Sequence, residues 1–306
     1  MNLLTRSDFD GLACATVLKE MGIIDTWTFV HPKDLQDGIV TVTENDVLAN
    51  VPYVKGCGMW FDHHSSEKER IETIKDIEFK GESRMAKSAA RIVYQYYGGE
   101  EKMPHFADMI AAVDIVDSGE LGIDDILNPG GWVMLGFLMD PRTGLGRFRE
   151  FRISNYALME KLIEECRVKN IDEILSDFDV NERVEKYREQ DSLFREMISA
   201  HTKIHSNAIV TDLRDVSPIY TGNRFLVYAL YPEQNISLWV VDGKNKQNVA
   251  IAAGHSILNR TSNTDVGSLL LKYGGGGHRQ VGTCQVPYDD CDKTLAELLE
   301  KINGDG

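Results

Sequence analysis

A carboxylate and two imidazoles stand side by side in the segment Phe61-Asp62-His63-His64, which continues as SS. The apolar residues 58–61, which end on Phe61, predict a short strand. Because successive side chains of a strand point to opposite faces, the three groups cannot all ligate one ion. We therefore expect a division of labour, in which one imidazole binds a metal and the neighbouring carboxylate orients a histidine from behind.

A second candidate is the segment Ser7-Asp8-Phe9-Asp10-Gly11, which lies between a predicted strand and a predicted helix. A spacing of two residues sends both carboxylates to the same side of an extended segment, where they can converge on a hard cation. Acidic residues at a helix start also serve as caps. Taken alone, this motif leaves both interpretations open.

A third segment, AAVDIVDSG at residues 111–119, places Asp114 and Asp117 near the end of a predicted apolar helix. The helix dipole disfavours carboxylates at that end, so we expect a positive group nearby. A fourth segment, GGGGHR at residues 274–279, brings backbone N–H groups together with His278 and Arg279. Those donors suit a phosphate group.

The composition restricts the classes of partner. The chain has 306 residues, with 33 Lys and Arg against 48 Asp and Glu, for a net charge of −15. This balance argues against a protein that coats long nucleic acid. We predict no leader peptide and no membrane span, hence a cytoplasmic protein. Five scattered cysteines without CxxC spacing predict reduced thiols.

The chain predicts two folded regions. In the first, strands at residues 1–5, 25–31, 39–43, 46–49 and 58–61 alternate with helices at 12–21, 83–97 and 105–113. This alternation predicts an α/β fold with a mostly parallel sheet, which binds ligands at the carboxyl ends of its strands. A charged helical stretch at 155–201 follows. The remainder predicts a smaller α+β domain, with strands at 208–211, 224–231, 236–242 and 248–254 and helices at 265–273 and 292–302.

These motifs, in this order, resemble those of the DHH phosphoesterase superfamily, whose exopolyphosphatase-like and oligoribonuclease-like members join a DHH catalytic domain to a DHH-associated substrate-binding domain. The resemblance spans nearly the whole chain. It implies a catalytic domain at residues 1–185, a helical connector at 186–204 and a substrate-binding domain at 205–306. It also implies an active site in the interdomain cleft.

The resemblance further implies roles for individual residues. Manganese is the expected metal, with magnesium or another divalent ion as alternatives and one or two ions per site. His64 would face the scissile phosphate, and Asp62 would support it from behind. The implied catalytic residues are Asp62, His63 and His64, and the implied metal ligands are Asp8, Asp10, His63 and Asp117. The implied phosphate-binding residues are Gly275, Gly276, Gly277, His278 and Arg279.

The chain departs from the family pattern at two places. The histidine expected upstream of Asp8 is absent, and the aspartate that bridges two ions is replaced by Asn50. An amide is a poorer bridge than a carboxylate. The substitutes that we consider as metal ligands are His31, Asp46, Asp114 and Asn50, although His31 also fits a surface residue before a proline. Arg6 is a candidate contact for substrate phosphate.

The resemblance implies a manganese-dependent hydrolase that uses metal-activated water to cleave dinucleotides or oligoribonucleotides to mononucleotides. An exopolyphosphatase releasing orthophosphate from polyphosphate is the main alternative. A catalytically impaired nucleotide-binding protein is a third. Tyr231, Trp239 and Tyr273 are candidates to stack a base, although such aromatics also suit a core. A second copy of the chain, as a homodimer, is a further candidate partner.

Overall fold

A computed structural model describes residues 1–64, 67, 70, 71 and 77–306. These residues form two compact units, each with its own sheet. The first unit comprises Met1–Glu120 and Pro129–Tyr187, and the second comprises Leu121–Asn128 and Arg188–Gly306. Domain boundaries at residues 185 and 204 stay a prediction.

The first unit is built on a parallel sheet of five strands in the order β2-β1-β3-β4-β5. The strands are β1 (Asn2–Thr5), β2 (Thr26–Phe29), β3 (Asp46–Ala49), β4 (Met59–Asp62) and β5 (Lys80–Ser83). Every residue of the central strands β3 and β4 is buried, as expected for a parallel sheet covered on both faces. The chain order reverses between β1 and β3, and ligands of such sheets bind at this point. The predicted α/β fold with a mostly parallel sheet is confirmed.

The helices of this unit connect the strands and carry the site residues. They are α1 (Phe9–Glu20), α2 (Pro32–Gln36), α3 (Ala89–Tyr96), α4 (Gly99–Lys102), α5 (Ala107–Ser118), α7 (Gly131–Met139), α8 (Asn155–Glu165) and α9 (Ile171–Ser176). Two short 3-10 turns, Pro141–Thr143 and Leu145–Arg147, follow α7. Helix α10 (Phe178–His201) completes the charged helical stretch predicted at residues 155–201. In the part of the chain that the structure describes, no helix combines the length and apolarity needed to cross a bilayer.

The second unit is built on a mixed sheet in the order β10-β11-β9-β8-β7-β6. Its strands are β6 (Thr202–His205), β7 (Ala208–Asp212), β8 (Ile236–Asp242), β9 (Val249–His255), β10 (Gly276–His278) and β11 (Val281–Val286). Only β7 and β8 pair in parallel among the described strands of this sheet. Its helices are α6 (Ile123–Leu127), α11 (Leu226–Leu230), α12 (Val266–Leu271) and α13 (Tyr288–Asp305). The alternate apolar residues of β8 and β9 pack against α12 and α13 to form its core.

Two predicted strands are wrong. Residues 39–43 form no strand, because the backbone N–H groups of Ile39 and Val40 donate to the carbonyl of Asp34 and close a turn after α2. Val40 and Val42 still pack against the core, which explains the alternating pattern. Residues 224–231 contain helix α11 instead of a strand. A short continuous apolar run does not distinguish a strand from a buried helix.

Candidate functional site

Three side chains converge at the carboxyl edge of the parallel sheet. Asp10 comes from the first turn of α1, His63 follows β4, and Asp117 lies in the last turn of α5. One ligand atom from each lies within 4.8 Å of the others. The Nε2 atom of His63 is 3.2 Å from Oδ2 of Asp117 and 3.7 Å from Oδ2 of Asp10. This is the candidate metal site.

The hydrogen bonding of His63 fits a cation at this point. Its Nδ1 atom lies 3.2 Å from the carbonyl oxygen of Ala86, which can only accept, so Nδ1 carries the proton. In the neutral ring, Nε2 then presents a lone pair, and this atom is buried without a hydrogen-bond partner among the residues that the structure describes. A lone pair and two carboxylates that face one another repel unless a cation lies among them. The donor set suits a divalent metal ion.

The electrostatics of the two aspartates support the same interpretation. The carboxylate of Asp10 accepts the backbone N–H groups of Ala89 and Ala90, at 3.0 and 2.7 Å, at the start of α3. Burial nevertheless raises the pKa of Asp10, with His63 opposing this shift. Burial also raises the pKa of Asp117 well above its ordinary value, and the charges of Asp10 and Asp8 add to the effect. A bound cation would offset both penalties.

Asp62 and His64 form a separate pair beside this cluster. The Asp62 side chain is fully buried and accepts the backbone N–H of His64 at 3.2 Å and the ring Nδ1–H of His64 at 2.9 Å. Burial lowers the pKa of His64, but this hydrogen bond and the Asp62 charge outweigh burial, so the pKa is raised overall. The arrangement orients the ring and directs its Nδ1 atom to Asp62, so that Nε2 is the ring nitrogen on the other side. The serines that follow, Ser65 and Ser66, lie outside the described residues.

Asp8 is held in a different way from Asp10. Its Oδ1 accepts the backbone N–H of Gly11 at 2.9 Å and the Asn50 amide at 3.0 Å. Its Oδ2 lies 3.1 Å from Nε of Arg6. Asn50 turns toward Asp8 at the end of β3 with a φ of 57°, a left-handed conformation that asparagine tolerates. Both Asp8 oxygens are therefore engaged by protein groups, whereas Oδ1 of Asn50 is buried and has no hydrogen-bond partner in the described part of the chain.

Two of the proposed substitute ligands lie away from the cluster. Asp114 accepts a hydrogen bond from Ser88 Oγ at 2.7 Å and pairs with Arg91 at 2.7 Å, which supplies the positive group expected beside this helix. Asp46 begins β3, so it lies at the opposite end of the strand from Asn50 and accepts hydrogen bonds from Thr43. Asp46 is therefore wrong as a substitute ligand.

His31 is the third substitute. Its Nδ1 atom caps the short helix α2 by accepting the backbone N–H of Lys33, and it is not one of the three clustered ligands. The residue does line a groove that Arg6 and Asp8 also line. His31 therefore lies near Arg6 and Asp8, whereas its metal-binding role stays a prediction.

The glycine-rich segment belongs to the second unit. Gly276–His278 forms β10, which pairs with β11. A Cβ atom on Gly277 would lie 2.2 Å from the carbonyl oxygen of Val281, and Gly277 has a φ of 155°. A Cβ on Gly267 in helix α12 would lie 2.6 Å from the Gly277 carbonyl. Close backbone packing thus explains Gly277 and Gly267, while His278 and Arg279 are exposed donors.

Sequence reasoning missed Arg142, which follows α7 in a 3-10 turn. Its backbone N–H and Nε donate to Oδ1 of Asp140 at 2.9 and 2.8 Å. Burial lowers the pKa of Arg142, but Asp140, Asp8 and Asp117 together raise it above its ordinary value. The guanidinium therefore lies within the electrostatic field of the metal site. Only a turn signal, Pro-Arg-Thr-Gly, marks this residue in the sequence.

One of the candidate base-stacking residues of the second unit, Tyr273, is held by contacts within that unit. Tyr273 packs against the core of that unit, and its hydroxyl donates to Glu297 at 3.0 Å.

Sequence reasoning also missed an aromatic pair in the first unit, Phe29 and Tyr156, whose ring centroids are 5.9 Å apart. The two residues are far apart in the chain, so no local pattern links them.

No protein-family model and no curated protein matches the chain. Among solved structures, a pGpG-specific phosphodiesterase from Vibrio cholerae is 47% identical to it, with a TM-score of 0.86. The match covers 100% of this chain and 99% of that protein.

Two more distant structures share the fold. The DHH domain of a protein assigned to a family of ribosomal proteins is 11% identical, with a TM-score of 0.56, over 99% of this chain and 86% of that one. RecJ from Thermus thermophilus, in complex with Mn²⁺, is 12% identical, with a TM-score of 0.52, over 98% of this chain and 51% of that one. At such identities the likeness concerns the fold alone. With the 47% match over the whole chain and the motifs above, the chain belongs to the DHH phosphoesterase superfamily.

Proposed function

We propose that this chain hydrolyses the phosphodiester bond of a short 5′-phosphorylated dinucleotide, with pGpG as the substrate. The reaction consumes one water molecule and releases two GMP molecules. The observation that carries this proposal is the 47% identity, over the whole chain, with a phosphodiesterase that is specific for pGpG. The convergence of Asp10, His63 and Asp117 beside the Asp62–His64 pair supports it.

The metal proposed for this site is a divalent ion held by Asp10, His63 and Asp117. Manganese is the first choice and magnesium the second, because the site combines carboxylate oxygens with an imidazole nitrogen. When bound, such an ion neutralises charge on the scissile phosphate and lowers the pKa of water. The protein contributes the orientation of each ligand, through Ala86 for His63 and through the start of α3 for Asp10.

We propose one ion per site rather than two. In the part of the chain that the structure describes, the only cluster of three ligating groups is the one above. Asp8, which the family resemblance assigns to the metal, lies outside this cluster, and its Oδ2 pairs with the Arg6 guanidinium at 3.1 Å. The guanidinium of Arg6 thus supplies positive charge beside Asp8. In this proposal Asp8 organises Arg6 and Asn50, and Arg6 contacts a substrate phosphate.

His64 is proposed to act on the scissile phosphate. Asp62 accepts its Nδ1–H, so Nε2 is the atom available to the substrate. The pKa of His64 is raised from its ordinary value, so the ring is protonated more readily than a free imidazole, and in the protonated form its Nε2–H can donate to a phosphate oxygen. Asp62 acts as a positioning residue that holds this ring. His278 and Arg279, with the backbone of Gly275, Gly276 and Gly277, are proposed to bind a terminal phosphate.

The test is hydrolysis of pGpG by the purified full chain with Mn²⁺, Mg²⁺ or EDTA, followed by chromatography of GMP. Inorganic polyphosphate is assayed in parallel. We expect GMP release that needs the divalent ion and no orthophosphate from polyphosphate. Orthophosphate release without GMP release would favour the exopolyphosphatase alternative. Tight nucleotide binding with no turnover of either compound would favour an impaired binding protein and overturn the proposal.

The number of ions is tested separately by calorimetric titration of the metal-free chain with Mn²⁺. We expect a stoichiometry of about one, and an Arg6→Ala variant that still binds one ion but hydrolyses pGpG more slowly. A stoichiometry of about two for the unmodified chain would restore Asp8 as a metal ligand.

A further inference from the structure

A groove of about 600 Å³ opens beside the candidate metal site within the first unit. Arg6 and Asp8 line it, together with residues at the end of β2, in α2 and at the start of α8. The volume lies within the range of small-molecule sites. The groove shares Arg6 and Asp8 with the region of the candidate metal site. A nucleoside whose phosphate is bound at that site can therefore extend directly into the groove.

The groove has an aromatic wall. Phe29 and Tyr156 face each other with ring centroids 5.9 Å apart and ring planes inclined by 34°. Tyr156 is 61% exposed, so its ring is accessible to a ligand in the groove. Exposed aromatic rings in a groove are the usual platforms on which nucleobases stack. The wall therefore favours a planar heterocycle as the occupant.

The groove also contains a carboxylate without a protein partner. Asp34 is half-buried and lines the groove. Among the described residues, none forms a hydrogen bond or an ion pair with its side chain. The nearby Asp37 behaves differently, because it pairs with Lys33 at 2.7 Å. An ionised carboxylate only accepts hydrogen bonds, and its two oxygens match two adjacent donors.

Guanine has two such adjacent donors. Its N1–H and its exocyclic amine stand side by side and match both oxygens of a carboxylate. Adenine presents an acceptor at N1 instead, which faces a carboxylate unfavourably. Hypoxanthine keeps N1–H and lacks the exocyclic amine. A carboxylate at this place therefore distinguishes these three purines by hydrogen bonding alone.

We propose that this groove is a guanine-binding subsite, in which the base stacks on Phe29 and Tyr156 and donates its N1–H and amine to Asp34. The proposal rests on the proposed function, since it assigns a place to a base of the dinucleotide. It makes Asp34 a specificity-determining residue of the first unit. In this role Asp34 contacts the base and not the reacting atoms.

The test measures binding of GMP, IMP and AMP to the full chain by calorimetry in the presence of Mn²⁺. We expect the unmodified chain to bind GMP roughly 10-fold more tightly than IMP and roughly 100-fold more tightly than AMP, as for lost hydrogen bonds to a charged group. Asp34→Asn should bring the three affinities within a fewfold of one another. Asp37→Asn, at the end of the same short helix and outside the groove lining, is the matched control and should leave them unchanged.

The aromatic wall is tested with a second pair of variants. Tyr156→Ala should weaken all three nucleotides by a similar factor, roughly 5- to 100-fold, because stacking does not depend on the base edge. Tyr156→Phe retains the ring and should bind like the unmodified chain. Far-ultraviolet circular dichroism and thermal unfolding of each variant check that the fold is retained.

The outcomes separate this subsite from the proposed function. If Asp34→Asn still prefers GMP to AMP as strongly as the unmodified chain, the guanine subsite is overturned even when pGpG is hydrolysed. If the unmodified chain binds the three nucleotides equally, the subsite is likewise overturned. If the binding ratios are as expected but pGpG is not hydrolysed, the subsite stands and the proposed activity fails.

Discussion

The Nε2 atom of His63 lies 3.2 Å from Oδ2 of Asp117 and has no hydrogen-bond partner among the described residues. The carbonyl of Ala86 holds the opposite nitrogen of the same ring. The histidine is thereby oriented with its lone pair toward a carboxylate, which is favourable when a cation lies between them or when the ring is protonated. This relationship links the sheet to helix α5, and it provides the first prediction.

Replacing Asp117 should strongly weaken metal binding without unfolding the protein. We expect Asp117→Asn to weaken Mn²⁺ binding by more than roughly 100-fold, since even residues that only orient ligands contribute 10- to 100-fold. The matched control is Asp114→Asn, one turn earlier on the same helix. Because Asp114 pairs with Arg91 and Ser88, this variant should keep its metal affinity but lose about 1–3 kcal/mol of unfolding free energy. Equal loss of metal affinity in both variants would contradict the assignment.

In the metal-free protein, Asp117 should make folding less favourable as pH rises. Burial raises the folded-state pKa of Asp117, and a raised carboxyl pKa disfavours the charged form in the folded state. The contribution of Asp117 to the unfolding free energy should therefore fall as pH rises through the interval from its unfolded to its folded pKa, and stay low above it.

The same variant, Asp117→Asn, removes this unfavourable charge. In EDTA at neutral pH it should unfold about 2–4 °C above the unmodified chain, the shift expected for about 1 kcal/mol. With saturating Mn²⁺ the order should reverse, because only the unmodified chain retains all three ligands. Thermal unfolding at several pH values, with and without the ion, measures both effects. A variant that is less stable in EDTA would be evidence against a repulsive metal-free site.

Asp62 should matter through His64. We expect Asp62→Asn to lower kcat roughly 10- to 100-fold with little change in KM. Burial of His64 lowers its pKa and the Asp62 hydrogen bond raises it, so removing the charge should lower that pKa. If the protonated ring acts on the phosphate, the decline of kcat at high pH should move to lower pH in the variant. An unchanged pH profile would show that Asp62 has a structural role only.

The exposed donors of the second unit should affect binding more than turnover. We expect His278→Ala and Arg279→Ala each to raise KM for pGpG roughly 10-fold or more, the value of a hydrogen bond to a charged phosphate, with kcat within a fewfold. Lys293→Ala, in an exposed turn of α13, is a control for loss of a positive charge. If KM does not change in His278→Ala, the segment does not bind the terminal phosphate.

Acid stability should depend on Asp179, which lies at the start of α10. The hydrogen bond from Arg152 lowers the pKa of Asp179 well below its usual range, and Lys161 adds to this shift. A lowered carboxyl pKa contributes stability above the unfolded pKa, and this stability is lost as pH falls toward the folded pKa. Asp179→Asn should cost about 1–3 kcal/mol at pH 7, and the difference should shrink below about pH 4. Asp172→Asn, at an exposed site, should change little at either pH.

The sequence alone determined the chemical identity of the site and the class of fold. The pairs Asp8–Asp10 and Asp62–His64 are encoded within a few residues, because a strand that ends at a polar turn places its next side chains at the edge of the sheet. The alternation of apolar strands and helices likewise predicts the parallel sheet. These features depend only on the spacing of residues within short segments, so they can be recognised without knowing how the rest of the chain packs.

Only the tertiary structure decided which acids meet. Asp114 and Asp117 are equivalent in a local pattern, but the packing of α5 turns Asp117 toward His63 and leaves Asp114 to Arg91. The choice between Asp46 and Asn50 depends on which end of β3 faces the site. Phe29 meets Tyr156 only because α8 packs beside the end of β2. Contacts between residues so far apart in the chain depend on how helices and strands pack, and no local spacing records that packing.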